Sequence, residues 1–234
     1  MKNLLRRYLA VGLFALLACG TNLSQAAPGA WLTVDRDNLC VTEGAIEKAS
    51  GDRLRVNVPK MRAYATMATA QSAEVRFTYL GPTGEDARLG SGEMRRQFGL
   101  KLHAQDACNL VYAIWRIEPE SKLVVSVKRN LGAHSSAECG NRGYQNIKPG
   151  KASAVPRLTP GQSHTLRAEM KRDELRVFVD NHEVWNGVVG SDAATLAGPV
   201  GIRSDNAQLE FDLKARKPEG TVGQGKPCKA GDSD

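Results

Sequence analysis

The sequence predicts an all-β protein, an antiparallel sandwich, from the alternation and the turn chemistry of its last third. Between positions 163 and 214, apolar and polar residues alternate over several short runs. In one run Leu175, Val177 and Val179 share a face, because successive side chains of a strand point to opposite sides. Turn-forming residues separate the runs, as at Asp180-Asn181 and Gly198-Pro199. Short alternating runs bounded by turns are typical of antiparallel strands with one buried face.

The same criteria place strands along the whole chain. Ser50-Gly51-Asp52 forms the turn into the second strand, and Gly81-Pro82 ends the third. The Ala-rich stretch Met61–Ala70 is ambiguous between a strand and a helical turn, and Leu131–Pro160 is a long loop-rich insert, which in a compact domain is usually functional or pinned by a disulfide. In chain order, the strands are expected at Trp31–Val34, Arg53–Val58, Glu74–Leu80, Arg95–His103, Asn109–Ile117, Ser121–Lys128, His164–Met170, Glu174–Asp180, Asn181–Asn186, Val200–Arg203 and Gln208–Lys214.

Two stretches of the closing strands resemble a known superfamily. The runs LRAEMKRDELRVFVDNHEVW and GPVGIRSDNAQLEFDL are similar to the last strands of the laminin-G-like, concanavalin A-like lectin and glucanase superfamily. The resemblance covers Trp31 to Arg216 and implies a jelly-roll sandwich. It does not by itself assign a function, because this superfamily contains lectins, binding modules, hydrolases and lyases.

The N-terminus has the organisation of a bacterial-type secretory signal. A basic start precedes the apolar stretch Tyr8–Ala18, and Ser24-Gln25-Ala26 offers small residues for cleavage. We therefore expect a signal peptide at 1–26, a β-sandwich domain at 27–216 and a flexible tail at 217–234 anchored by Cys228. The expected location is the periplasm or the cell exterior, and a lipoprotein attached through Cys19 is the alternative. No later stretch is apolar and long enough to cross a bilayer, so stable membrane insertion is not expected.

Much of the basic character belongs to the predicted signal. The chain of 234 residues has a formal charge of +7, and removing Lys2, Arg6 and Arg7 with no acid lowers it to +4. Without a basic block or a known motif, this charge does not indicate a nucleic-acid partner. About 208 residues would remain, a size that suits one β-sandwich domain.

Four cysteines remain after signal removal, and an even number in an exported protein suggests two disulfides. Three connectivities are open. We favour Cys108–Cys139, because the chain leaves Cys108 through a hairpin and returns near the same end. Cys40–Cys228 would then join terminal strands, which a jelly roll commonly places side by side. A zinc site is not supported, since no cysteine or histidine pair has zinc spacing.

The clearest candidate for a binding surface is the outer face of the central strands. If Phe98, Leu100 and Leu102 are buried, period two places polar side chains opposite them, and the next strands add to the same face. Such a surface suits an acidic glycan: guanidinium and amide groups donate hydrogen bonds, and a ring stacks on the sugar. The alternative is an ordinary solvated sheet face. The candidate substrate-binding residues are Arg95, Gln97, Lys101, His103, Tyr112 and Arg116, with Lys122 and Lys128 on the same face.

Non-catalytic carbohydrate binding is the function that this pattern favours. A polysaccharide lyase is one alternative, because Arg95, Gln97, His103 and Tyr112 are residue types that such enzymes use. A glycoside hydrolase is less supported. The superfamily's Glu-x-Asp-x-Glu strand is matched at Glu210 and Asp212, but a lysine stands where the second glutamate would be. A laminin-G-like protein-interaction module is the third alternative.

No cofactor and no metal are expected. Calcium is retained as an alternative because lectin-like jelly rolls often hold one, and Asp192 and Asp205-Asn206 are expected in loops. The sequence lacks an Asp-rich loop of the kind that calcium usually requires.

Overall fold

A computed structural model describes residues 29–67, 70–217 and 225–228, and in these residues two antiparallel sheets pack on a shared core. This confirms the predicted all-β sandwich. The expected signal peptide, 1–26, lies outside the described residues, as does most of the expected tail. In the part of the chain that is described, no helix has the length and hydropathy needed to cross a membrane.

The first sheet carries four of the five closing strands that the alternation predicted, and the fifth, at Gly201–Asp205, lies in the second sheet. Its two longest strands are neighbours and antiparallel, and the two-residue strands at its two ends were not predicted from the sequence. In spatial order this sheet contains β11 (Lys151–Ala152), β14 (His182–Val188), β13 (Glu174–Val179), β12 (Ser163–Lys171), β6 (Ser72–Pro82), β16 (Ala207–Arg216), β4 (Leu54–Val56) and β3 (Glu47–Lys48), and β1 (Trp31–Val34) also pairs with β16.

The second sheet carries the candidate binding face. The ambiguous stretch near Met61 is a strand of this sheet, and the long insert supplies its edge strand. In spatial order this sheet contains β10 (Tyr144–Asn146), β9 (Lys122–Lys128), β8 (Leu110–Glu118), β7 (Arg96–Leu102), β15 (Gly201–Asp205), β5 (Lys60–Ala65) and β2 (Leu39–Glu43). Two four-residue helices, α1 (Ser136–Cys139) and α2 (Ser191–Ala194), lie in connections.

Aromatic rings join the two sheets at the centre of the core. Phe77 of β6 lies 4.2 Å from Phe98 of β7 and 5.8 Å from Trp115 of β8, measured between ring centroids. All three side chains have no exposed surface. Because offset and edge-on ring pairs add to the stability gained by burial, these contacts hold the sheets together where β7 and β8 pass beneath the candidate face.

The tight turns follow the sequence chemistry. Asp180 and Asn181 have φ values of 49° and 67° between β13 and β14, which agrees with the predicted hairpin. Asn206 has φ 57° between β15 and β16. Asparagine and aspartate tolerate this left-handed region better than most residues, because their short polar side chains bond locally.

Both favoured disulfides are present. Cys40 of β2 is bonded to Cys228, and Cys108, just before β8, is bonded to Cys139 at the end of α1. The second bond attaches the loop between β9 and β10 to the sheet that carries the candidate face. The division of the chain into signal, domain and tail stays a prediction.

The Phe77→Ala variant should lose about 3–5 kcal/mol of unfolding free energy, because a fully buried ring is replaced by a cavity between the sheets. Denaturant unfolding followed by tryptophan fluorescence measures the loss. Val188→Ala is the matched control: Val188 is 62% exposed, and the variant should stay within about 0.5 kcal/mol of the wild type. Equal effects in the two variants would contradict this account of the core.

Candidate ligand-binding cleft

A cleft of about 250 Å³ opens on the outer face of the second sheet. We call it the tyrosine cleft. The segment between β6 and β7 contributes Glu93 and Arg95 to its lining, and the loop before β10 contributes Asn141. The strand residues that line it include Gln97, Tyr112, Arg116, Ser126, Tyr144 and Arg203.

Strand register brings these residues together. Gln97 of β7 lies opposite Arg116 of β8, and Tyr112 of β8 lies opposite Ser126 of β9. They alternate with core residues such as Phe98 and Trp115, so the predicted parity of this face is correct. Arg95, Gln97, Tyr112 and Arg116, four of the six candidate residues, line the cleft.

Two tyrosine rings form the base and edge of the cleft. The Tyr112 and Tyr144 rings are stacked, with centroids 6.0 Å apart and planes inclined by 23°. Tyr112 is 1% exposed, whereas Tyr144 is 40% exposed. Two cations polarise the pair: the Arg203 guanidinium lies 5.5 Å from the Tyr112 centroid, and Lys128 Nζ lies 5.1 Å from the Tyr144 centroid. An exposed ring held in this way offers a fixed apolar platform.

Beneath the cleft, Asp205 is a buried anion bound by three neighbouring strands. Arg62 of β5 approaches Asp205 Oδ1 at 2.6 Å, and Arg203 Nε approaches Asp205 Oδ2 at 2.9 Å. Gln97 Nε2 of β7 donates to the same Oδ2 at 2.9 Å. Burial alone would raise the pKa of Asp205, but Arg203 and Arg62 outweigh it and lower the pKa to about 2. Asp205 therefore stays charged and orients Arg203 toward the cleft.

The wall that carries Arg95 is fixed by Asn206. Its side-chain Nδ2 donates to the carbonyl oxygens of Ala87 at 2.9 Å and Arg95 at 2.8 Å. Its Oδ1 accepts from the Ala87 N–H at 2.7 Å. This segment is therefore attached to the turn after β15, so its position depends on the strand that also carries Asp205.

Three arginines and one carboxylate line the cleft, and one of the arginines, Arg203, is paired with the buried Asp205. Glu93 pairs with Arg95, and this hydrogen bond lowers the pKa of the Glu93 carboxyl below its usual range. Burial lowers the pKa of Arg116, and the neighbouring Arg95 charge lowers it further. Among the described residues Arg116 has no hydrogen-bond or ion-pair partner, and its Nε is buried. A guanidinium in this state is poised to bind an anion that enters the cleft.

A second cavity adjoins the first. We call it the basic recess. It has a volume of about 280 Å³ and is lined by Glu43, Lys60 and Arg62, together with four residues that also line the tyrosine cleft, namely Gly90, Asn141, Tyr144 and Arg203. Arg62 Nε lies 3.9 Å from Glu43 Oε2. The two cavities thus form one groove across β8, β7, β15 and β5, with Tyr144 and Arg203 at the junction.

Two of the predicted site residues are not in the groove. Lys101, 2% exposed, and His103, 7% exposed, line neither cavity, so neither presents its side chain to a ligand. Gln97 and Tyr112 are also buried, at 5% and 1% exposed, but they line the cleft. His103 Nδ1 bonds the Leu196 carbonyl at 2.7 Å, and burial lowers the pKa of this histidine despite that hydrogen bond. The prediction that Lys101 and His103 are accessible is wrong, because alternation gives the face of a residue but not what covers that face. Lys128, expected on the same face, is fully buried, and its Nζ donates to the Ala107 carbonyl at 2.8 Å.

Several lining residues were not predicted. Tyr144 and Asn141 belong to the long insert, whose sequence has no alternation to place it on a sheet. Arg62 and Arg203 lie in strands that the sequence located only roughly. The length of the insert and its cysteine were the available signals, since such loops are usually functional or disulfide-pinned.

The catalytic alternatives are not assembled in the groove. Glu210 and Asp212 lie on β16 of the other sheet, where they pair with Arg55 and Arg53. His103 is buried and does not line the tyrosine cleft, whereas Arg95, Gln97 and Tyr112 do. The four lyase-type residues therefore do not share one accessible site. The described lining of the tyrosine cleft includes one carboxylate, Glu93.

The residues considered for calcium are engaged elsewhere. Asp205 ends β15 and is bound to arginine, Asn206 holds the cleft wall, and Asp192 lies in α2. Asp192 and Asn206 therefore lie in connections between strands, and the expected loop position is wrong for Asp205 alone. Among the described residues, no group of three or more histidine, cysteine, aspartate or glutamate side chains is placed to share a metal ion.

Comparison of this structure with solved structures supports the sandwich fold. No family model matches the chain, and no curated protein matches it. Among solved structures, the carbohydrate binding module CBM66 from Bacillus subtilis is similar over 79% of this chain and 92% of that chain, at 14% identity and a TM-score of 0.51. A protein from Parabacteroides distasonis, provisionally described as a glycosyl hydrolase, is similar over 80% of this chain and 99% of that chain, at 12% identity and a TM-score of 0.50. At these identities the likeness concerns the sandwich fold alone.

The Asp205→Asn variant should be less stable by about 3–5 kcal/mol at neutral pH, because Arg62 and Arg203 lose their buried counter-charge. In the folded protein the pKa of Asp205 is lowered to about 2. The stability that its charge contributes is therefore fully present at pH values above the pKa of an aspartate in the unfolded chain, and it is lost as the pH falls toward the folded-state pKa. The gap between wild type and variant should therefore narrow from about pH 4 toward pH 2.

Thermal unfolding of both proteins across that pH range checks this. The matched control is Asp212→Asn, which removes a partly exposed carboxylate 3.6 Å from Arg53 and should cost no more than about 1 kcal/mol. A gap that stays constant from pH 7 to pH 2 would refute the assignment of Asp205 as a buried anion.

Proposed function

We propose that this protein is an exported, non-catalytic carbohydrate-binding module that holds acidic polysaccharide in the tyrosine cleft. The observation that carries the proposal is one exposed ring, Tyr144, beside two arginines, Arg95 and Arg116, on one rigid sheet face.

The chemistry of the cleft suits an acidic sugar. An aromatic ring packs against the apolar face of a pyranose, and guanidinium groups donate paired hydrogen bonds to a carboxylate or sulfate. Arg116 has no acceptor among the described residues, so an anionic ligand would supply one. A neutral sugar would leave this buried donor without a charged partner, which disfavours neutral polymers.

The number and the pKa of the carboxylates that line the tyrosine cleft favour non-catalytic binding. Glycosidases generally use two carboxylic acids on opposite sides of the scissile bond. In the described lining of the tyrosine cleft, the carboxylate is Glu93, and its pairing with Arg95 lowers its pKa. A carboxyl with a lowered pKa is a poor general acid at neutral pH.

Two further observations support an exported protein that binds carbohydrate. The two disulfides suit an exported protein, since cytosolic reductants keep thiols reduced. The resemblance of the fold to a protein named as a carbohydrate binding module supports the proposal by analogy only. The location that follows is periplasmic or extracellular.

The direct test is affinity electrophoresis of the oxidised protein in gels that contain polygalacturonate or neutral dextran. We expect retardation by the acidic polymer alone. Arg116→Gln should weaken retardation by roughly ten-fold or more, since it removes charge-assisted hydrogen bonds. Tyr144→Ala should weaken it through loss of the ring, and Tyr144→Phe should retain it.

Lys214→Gln is the charge-matched control, because Lys214 is exposed on β16 of the opposite sheet. Equal loss in Lys214→Gln and Arg116→Gln would mean that net charge, not the cleft, holds the polymer. Release of unsaturated products or new reducing ends would overturn the non-catalytic assignment and support an enzyme.

A further inference from the structure

The groove has two compartments of nearly equal volume, the tyrosine cleft and the basic recess. Their volumes limit how large a ligand each compartment can hold. The tyrosine cleft holds about 250 Å³ and the basic recess about 280 Å³. Each is smaller than the roughly 300–1,000 Å³ of most small-molecule sites, whereas the two together fall within that range. Because Tyr144 and Arg203 line both, a ligand in one compartment can continue into the other.

Each compartment also carries one unbalanced positive charge. In the tyrosine cleft, Arg95 and Arg116 face one carboxylate, Glu93, while the third arginine of the lining, Arg203, is balanced by the buried Asp205. In the basic recess, the three cations Lys60, Arg62 and Arg203 face Glu43 and the buried Asp205.

One cation in each compartment is uncommitted within the described part of the chain. Arg95 is paired with Glu93, and Arg62 and Arg203 are paired with Asp205. Arg116 and Lys60, by contrast, have no ion pair or side-chain hydrogen bond to any described residue. These two cations lie in different compartments, on opposite sides of the Tyr144–Arg203 junction.

Building on the proposed function, we infer that the groove binds two consecutive sugar units that each carry one anionic group. One anion meets Arg116 in the tyrosine cleft, and the next meets Lys60 in the basic recess. The ligand class is a glycan with an acid on adjacent units, as in a uronate chain. A polymer with isolated charges would satisfy one compartment only.

The buried ion network supports this division. Asp205 holds Arg62 and Arg203 at fixed positions, so these cations line the groove without needing the ligand to orient them. Arg116 and Lys60 carry the charges that an acidic ligand neutralises. A preordered groove lowers the entropic cost of binding, and the second unit then binds at the high effective concentration that the first creates.

The test is isothermal titration calorimetry with oligogalacturonates of one to six units. We expect a gain of about ten-fold or more in affinity from the monomer to the dimer or trimer, and a much smaller gain beyond. Lys60→Gln should remove most of that gain, because it takes away the uncommitted cation of the basic recess. Arg116→Gln should weaken binding of the monomer and of the longer oligomers, and Lys214→Gln should change neither. Circular dichroism of each variant verifies the fold.

The outcomes separate the two proposals. Binding of long oligomers that depends on Arg116 but not on Lys60, with no step between monomer and trimer, would refute the two-compartment inference and leave the proposed function intact. No binding to any acidic oligomer would refute both. Sulfated oligosaccharides of the same length distinguish sulfate from carboxylate as the preferred anion. Tighter binding of a single-stranded oligonucleotide of equal charge would show that the ligand class is wrong.

Discussion

The cleft depends on one buried charge, Asp205. Its carboxylate joins three adjacent strands through Arg62, Gln97 and Arg203, and the next residue, Asn206, attaches the wall segment. A buried carboxylate is costly unless it is paired and hydrogen-bonded, and here both oxygens have partners. The network therefore does two things at once: it holds the strands in register and it fixes the direction of the arginines. A hydrophobic residue of similar size could fill the space but could not orient them.

The rest of the sandwich makes this arrangement rigid. Phe77 crosses from one sheet to meet Phe98 and Trp115 of the other, so the strands under the groove cannot shift without disturbing the core. On the outer face, a separate apolar cluster that includes Tyr112 and Ile114 supports the exposed Tyr144 ring. The functional surface is thus built mainly on strands, and loops contribute only its walls. Sites built on regular elements hold their geometry better than sites built on loops.

The sequence predicts the sandwich well and the site only in part, for physical reasons. Period two reports the direction of a side chain, which is why the polar face of β7 and β8 was found. It does not report depth, which is why Lys101 and His103 were wrongly placed at the surface. Contacts between distant positions leave no local pattern: Arg62 and Asp205 are 143 residues apart. Tyr144 was missed because an edge strand of three residues is too short to show alternation.

The Cys40–Cys228 bond spans 188 residues, so it turns nearly all of the sandwich into a covalent ring. A ring cut once becomes a single open chain, not two fragments. Any one peptide bond hydrolysed between these cysteines therefore leaves every strand of the second sheet tethered to the rest, and dissociation of a fragment would need a second cut or a reductant. In surroundings rich in proteases and poor in thiols, a nicked molecule would keep its parts together by covalent linkage as well as by packing.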